Sequence, residues 1–150
     1  MLPADVPVLA AIFQASIEQL TEEDYDDAQR DAWSATADDE AAFGARLTNA
    51  LTIVATIEGA PVGFVSLEGT SLIDMLYVYP PAARQGVGTL LCDAIEKLAA
   101  GRGGVQLAVD ASDTARPFFE ARGFEARHRE TVELAGSWLG RTRMEKKLAR

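Results

Sequence analysis

The run Ala83-Arg84-Gln85-Gly86-Val87-Gly88 sets a cation, an amide and two glycines between an extended apolar segment, LIDMLYVY, and the start of an amphipathic helix. The first N–H groups of a helix have no partner within it. Where no bulky side chain stands in the way, they attract an anion, most often a phosphate. The run lacks the third glycine of a dinucleotide-binding turn and the Gly-Lys-Ser/Thr of a Walker A loop, so neither motif explains it. Upstream, Asp74 interrupts an apolar run and alternates with Leu72, Leu76 and Val78, which places it on their face of a strand. Tyr25, Gln29 and Trp33 recur at helical spacing as an amphipathic aromatic set suited to a small organic ligand. Glu68 is a weaker acid candidate, at a strand end beside Gly69. His128, between Arg127 and Arg129, reads as an exposed strand residue, and Cys92 as helix packing.

The elements that must position these groups follow from period and punctuation. Residues 3–20 form a helix with Leu9, Ile12, Phe13, Ile17 and Leu20 on one side. Thr21 is expected to cap a second helix carrying Tyr25, Ala28, Gln29, Ala32 and Trp33, and a third covers residues 38–48. From Leu51 the period becomes two: LTIVATIE and PVGFVSLE form a hairpin about Gly59-Ala60, and SLIDMLYVY follows as a third strand. A helix over residues 87–100 shows Leu90, Leu91, Ala94, Ile95 and Leu98 as its apolar stripe and is closed by Gly101. GVQLAVDA is the next strand, then a short helix at 115–122 stopped by Gly123, then two strands joined around Ala135-Gly136-Ser137. The crossover makes LIDMLYV and VQLAVDA parallel neighbours in an otherwise antiparallel sheet. A slot at the end of the first, facing the helix start, is where a ligand belongs.

The 150 residues, 48% hydrophobic, suit one domain with a real core. A net charge of −9 argues against nucleic acid or an anionic membrane as a partner. One cysteine and one histidine exclude an internal disulfide and a recognisable zinc site. No signal or membrane-spanning stretch is read, so a cytoplasmic setting is expected.

With these residues in view, the chain resembles the GNAT superfamily of N-acetyltransferases from about Pro3 to Leu148. The family's R/Q-x-x-G-x-G/A turn falls on Ala83 to Gly88. Its A-x-x-F-Y-x-x-x-G-F segment falls on Ala115-Arg116-Pro117-Phe118-Phe119-Glu120-Ala121-Arg122-Gly123-Phe124. DYDDAQRDAW, ARPFFEARGF and GSWLGRTRMEKKL are similar to the YafP-like subgroup. The resemblance implies an α+β (mixed α/β) fold: a mostly antiparallel sheet with flanking helices, and a splayed parallel pair forming an acyl-CoA slot. It implies acetyl-CoA as cosubstrate without a metal, held by Leu76, Tyr77, Val78, Arg84, Gln85, Gly86, Val87, Gly88, Thr89, Ser112, Ala115, Phe118 and Phe119. Arg122 is a candidate for the CoA 3′-phosphate. The family's edge strand before the first helix is expected to be truncated here, or its place covered by a neighbouring chain in a homodimer.

The reaction implied is direct attack of an amine on the thioester carbonyl, polarised by strand amides at 76–78. Asp74 is the candidate base. Two departures bear on catalysis. Ala83 replaces the usual Gln or Arg, leaving Arg84 or Gln85 to supply a side chain. Phe119 replaces the tyrosine that commonly protonates the leaving thiolate. Releasing thiolate instead of thiol at pH 7 forfeits about 2 kcal/mol for a thiol pKa near 8.5, a loss that water or Ser112 can make good. Ten of the 23 acids fall in residues 18–40 beside one base, Arg30, and favour a small cationic amine. The alternatives are a weakly catalytic acyl-CoA-binding sensor or interaction module, and a protein N-acetyltransferase.

Overall fold

A computed structural model describes residues 1–148. Its helices are α1 (Val6–Leu20), α2 (Asp27–Ser34), α3 (Glu40–Asn49), α4 (Val87–Gly101) and α5 (Arg116–Ala121). Its strands are β1 (Leu51–Ile57), β2 (Ala60–Glu68), β3 (Leu72–Val78), β4 (Gln106–Ser112), β5 (Glu125–Leu134) and β6 (Ser137–Lys147). They form one sheet in the order β1-β2-β3-β4-β6-β5, in which only β3 and β4 run parallel. The mixed α/β architecture expected from the alternating periods is what the chain adopts. No described helix is long and apolar enough to cross a membrane.

Two tight turns set the register of the outer hairpins. Glu58 and Gly59 (φ 51° and 81°), and Ala135 and Gly136 (φ 47° and 82°), carry the paired positive φ values that match the twist of two-residue hairpins. The first hairpin therefore turns at Glu58-Gly59, one residue earlier than glycine placement alone implied.

The sheet separates two apolar layers. On one side α4 and α5 bury Val87, Leu91, Cys92, Ile95, Ala99 and Phe119 against Val65, Leu67, Ile73, Leu107 and Val109. On the other, α1 and α3 bury Leu9, Ile12, Phe13, Ile17, Phe43 and Leu47 against Phe64 and Met75. Each Val, Leu, Ile, Phe or Met among them contributes about 1.5–3 kcal/mol on burial. The buried stripe of α4 thus runs 87-91-92-95-99. Leu90, expected in it, is 63% exposed, because the helix is rotated to bring Val87 and Cys92 inward. Gly63 allows this close approach. A Cβ there would lie 3.0 Å from Val87 Cγ1, 3.1 Å from the Tyr77 carbonyl oxygen and 3.2 Å from Leu91 Cδ1. The helix also ends differently: Gly101 is its last residue, and Gly103 takes the left-handed conformation beyond it (φ 89°).

Two further expectations are corrected. Thr21 does not cap α2; it ends α1 and donates its hydroxyl to the Ile17 carbonyl. The cap is Asp26, which accepts from the Gln29 amide (2.8 Å), while Gln29 Oε1 accepts from the Asp26 amide (2.8 Å). This reciprocal pairing satisfies two orphan donors and outcompetes a start at Thr21. Asp74, in turn, does not share a face with Leu76 and Val78. Ser66 and Leu67 of β2 pair with Met75 and Ile73, so Asp74 is the extra residue of a β-bulge. Beyond it Leu76 and Val78 meet the α4 layer, and Met75 and Tyr77 the α1 layer.

Candidate active site

The slot forms because the parallel pairing stops. β3 and β4 pair only at Leu72–Ala108 and Ile73–Val109, although β2 follows β3 to Val78 and β6 follows β4 to Ser112. Beyond Ile73 the strands diverge, and alternate backbone groups of 76–78 face the gap without a β4 partner. The turn carrying the glycines sits at its mouth. Arg84 (φ 65°) and Gly86 (φ 81°) are both left-handed, and Gly86 is the N-cap of α4. The first helical bond is from Leu90 N–H to the Gly86 carbonyl (2.9 Å). Beyond the weak turn contacts of residues 83–86, the amides of Gln85, Gly86, Val87, Gly88 and Thr89 have no well-formed hydrogen bond among the described residues. A row of free N–H groups at the positive end of a 15-residue helix is an anion site. Gly88 faces across the slot: a Cβ there would stand 3.5 Å from the Phe118 ring and 3.9 Å from Val78 Cγ2. Gln85 Nε2 donates to the Pro81 carbonyl (3.1 Å), and the exposed Arg84 stands at the rim.

At the inner end lies a cavity of about 310 Å³, near the lower end of small-molecule sites. It brings together Tyr25, Trp33, Asp74, Leu76, Tyr77, Ser112, Ala115 and Phe119 from the sequence-derived candidates, and adds Phe13, Arg46, Asp110 and Arg141. Trp33 packs edge-on against Tyr25 and Tyr77, with ring centroids 5.5 and 6.3 Å apart. Burial pushes the Tyr77 phenol up to about 12, so it is a donor at neutral pH. The Ser112 hydroxyl accepts from the Ala115 amide (3.1 Å), leaving its own proton to donate.

Several candidates take other places. Tyr25 donates its hydroxyl to the Gly140 carbonyl (2.7 Å) and accepts from the Asp113 amide (2.8 Å). Its ring lines the cavity, but its polar end ties the α1–α2 turn to β6 and the β4–α5 loop. Tyr25 precedes α2 and so does not share a helical face with Gln29. Gln29 is outside the cavity lining, engaged at the α2 cap and donating Nε2 to the Trp138 carbonyl (2.8 Å). Arg122 is not free for a phosphate. It bonds Glu96 (2.7 Å) and Asp93 (2.6 Å) on α4, and Lys146 reaches Glu96 from β6 (2.6 Å). Burial pushes the Cys92 thiol up to about 12, so it is no nucleophile. His128 and Glu68 are exposed and outside the cavity lining.

Asp74 is not solitary. Arg46 of α3 grips it through Nε (2.7 Å) and Nη2 (3.0 Å), and this bond holds the guanidinium above its ordinary value. The pair spans 28 residues and two element types, and nothing local in the sequence announces Arg46. The acidic run, by contrast, never reaches the site. All ten carboxylates of 18–40 are exposed and none lines the cavity.

A splayed strand pair, a free-amide turn at its mouth and an aromatic cavity at its inner end make up the architecture of an acyltransferase. Residues 21–148 match the family model described as an acetyltransferase (GNAT) domain, and the chain belongs to that family of N-acetyltransferases. It is 36% identical over 136 residues to "Uncharacterized N-acetyltransferase YafP" of Escherichia coli (strain K12), spanning 91% of this chain and 85% of that protein. A crystal structure from Rhodopseudomonas palustris, described as "GCN5-Related N-acetyltransferase: Aminotransferase, Class-II", superposes with TM-score 0.97 at 55% identity, covering 99% of this chain and 92% of that one. The PaiA N-acetyltransferase of Thermoplasma acidophilum in complex with coenzyme A shares the fold, with TM-score 0.77 at 16% identity, covering 98% and 95% of the two chains.

Proposed function

We propose that this protein transfers the acetyl group of acetyl-CoA directly to the amine of a small molecule. The observation that carries the reading is the row of unbonded amides at 85–89, opening on a slot whose far end is the aromatic cavity. In this reading the pyrophosphate lies on those amides, the pantetheine arm runs between Val78 and Phe118, and the thioester carbonyl meets an amide of 76–78. The PaiA protein, which shares the fold, was solved in complex with coenzyme A, which supports an acyl-CoA as the ligand here.

Bound acetyl-CoA supplies an activated acyl group. The protein's part is to hold the amine near it, accept the amine's proton and deliver one to sulfur. Asp74 is the group that meets the ammonium, and it can take the proton once Arg46 no longer occupies both of its oxygens. Ser112, or water beside it, protonates the departing thiolate, since Phe119 has no hydroxyl. A cationic acceptor is favoured by Asp74 alone, because the acidic run lies elsewhere.

Phe119 also motivates a second reading, a module that binds acyl-CoA without turnover. Stabilisation by acetyl-CoA together with thiol release across an amine panel supports the transferase. Stabilisation with no thiol release from any amine supports the module.

A further inference from the structure

Among the described residues four charged side chains line the cavity: Arg46, Asp74, Asp110 and Arg141. Two of them are committed beyond it. Asp110 is gripped by Arg143 of β6 (2.7 and 3.1 Å), and Arg141 is bonded to Glu130 of β5 (2.8 Å). Arg46 and Asp74 hydrogen-bond to each other, and Glu68 is a further carboxylate whose charge reaches the guanidinium. Neither has another hydrogen-bond partner among the described residues, and Arg46 Nη1 has none. The Asp74 side chain is 18% exposed and that of Arg46 47%, so the guanidinium has the freedom to move and the carboxylate does not.

This closed pair constrains what can bind. A plain ammonium that docks on Asp74 displaces Arg46 from its hydrogen-bonded carboxylate and leaves it only the longer-range attraction of Glu68. A plain carboxylate that docks on Arg46 strands Asp74. A ligand carrying both charges replaces each partner of the pair in one exchange, with the count of ion pairs conserved or increased. Much of the remaining wall, including Phe13, Trp33, Tyr77 and Leu139, is apolar or aromatic, with Thr36 and Ser112 as its aliphatic hydroxyl groups. We infer that the acceptor is an α-amino acid with an apolar or aromatic side chain, its ammonium on Asp74 and its carboxylate on Arg46. This rests on the acetyltransferase reading above and names the substrate class of that site.

The exchange fits the chemistry. Asp74 lies two residues before Leu76 on β3, roughly 5–7 Å along the strand, so an amine bound to it is within reach of a thioester held at 76–78. With the guanidinium drawn onto the substrate carboxylate, an Asp74 oxygen becomes free to accept the ammonium proton. The nitrogen lone pair then bonds to the carbonyl carbon and the carbon–sulfur bond breaks. The bonded nitrogen sheds its second proton as the amide forms; that proton replaces the one Ser112 or water gives to the departing sulfur, so CoA leaves as the thiol and the proton held by Asp74 passes to solvent. The products are an N-acetyl amino acid and CoA. The amide carries no positive charge, so its hold on Asp74 is lost and Arg46 can re-form the pair as product leaves.

The test compares matched acceptors on the full chain with acetyl-CoA: L-phenylalanine against 2-phenylethylamine, L-leucine against 3-methylbutylamine, and spermidine as a polycation. Thiol release gives kcat/KM, and mass spectrometry confirms the N-acetyl product. The amino acid of each pair should exceed its decarboxylated partner by about ten- to hundredfold, the worth of one charge-assisted contact. In Arg46→Gln that ratio should collapse toward one, and Arg46→Lys should restore part of it. Equal or faster acetylation of the decarboxylated amines or of spermidine overturns the inference, and the wild-type ratio decides it even where Arg46→Gln does not fold. Binding of acetyl-CoA with no amino acid acetylated overturns it as well, leaving the acetyl-CoA site intact. Failure to bind acetyl-CoA overturns the reading beneath both.

Discussion

Replacing Gly63 by alanine should disturb the protein through α4 and not through β2, where Gly63 itself sits. The added Cβ meets the Tyr77 carbonyl oxygen at 3.1 Å and two side chains of α4 at 3.0 and 3.2 Å, all tighter than ordinary carbon contacts. The carbonyl belongs to β3 and cannot swing away. Val87 is β-branched and held to few rotamers, so the relief must come from the helix moving outward by a few tenths of an ångström. Overpacking of this kind costs about 1–3 kcal/mol, which for a chain of this size lowers Tm by roughly 3–10 °C. Val87 is also the first residue of α4, so the same displacement moves the amides of Val87, Gly88 and Thr89 relative to the strand pair. Acetyl-CoA affinity should fall by about tenfold, or ~1.4 kcal/mol, as the anion contacts lengthen. Differential scanning calorimetry and titration calorimetry on Gly63→Ala read the two effects. A mutant with unchanged Tm and unchanged affinity would refute the idea that this glycine seats the helix on the sheet.

Two other outcomes are expected. Phe119→Tyr places a phenol in the cavity and should raise turnover by at most about thirtyfold, the equivalent of the ~2 kcal/mol lost by expelling thiolate, with acetyl-CoA affinity nearly unchanged; a fall in turnover on steady-state assay counts against Phe119 standing beside the sulfur. Burial acts to raise the Glu96 carboxyl, but hydrogen bonds from Lys146, Arg122 and Cys92 outweigh it and hold the group below its ordinary value. Its contribution to stability is therefore complete above the unfolded carboxyl pKa, about 4.3, and is lost as pH falls through the lower folded value. Glu96→Gln should lower Tm at pH 7, with the gap closing below about pH 4; a gap independent of pH contradicts this assignment.

The parts of the fold that were legible in the sequence are those fixed by local chemistry. The α1 stripe from Leu9 to Ile17, the change of period at Leu51, the crossover into α4 and the Ala135-Gly136 turn are each written in consecutive residues; Leu20, expected in that stripe, is exposed at the end of the helix. Asp26 and Gln29 form a capping box three residues apart that was equally readable, yet Thr21 with its acidic neighbours offered a competing start. The site divides the same way. The glycine turn announces its free amides, because backbone geometry there depends on residues 84–88 alone. Arg46 was invisible, since its meaning comes from a carboxylate 28 positions away. The face assigned to Asp74 failed for a similar reason: strict alternation holds only while the ladder is regular, and a bulge is decided by pairing with β2. Arg122 was misplaced because α4 presents Asp93 and Glu96 on the side where α5 docks, a feature of packing and not of spacing.

The central claim is that the turn amides before α4 hold the cosubstrate's phosphates, and titration calorimetry with acetyl-CoA on Gly86 variants tests it most directly. Gly86 stands at φ 81° with open space around its Cβ position, so Gly86→Asn, which tolerates that conformation, serves as the control for backbone strain. Gly86→Glu adds the same kind of strain together with a carboxylate beside the incoming pyrophosphate. Gly86→Asn should stay folded and bind acetyl-CoA within a few fold of wild type, while Gly86→Glu should stay folded and lose binding by a hundredfold or more, about 3 kcal/mol. Equal affinity in a folded Gly86→Glu protein would contradict that claim.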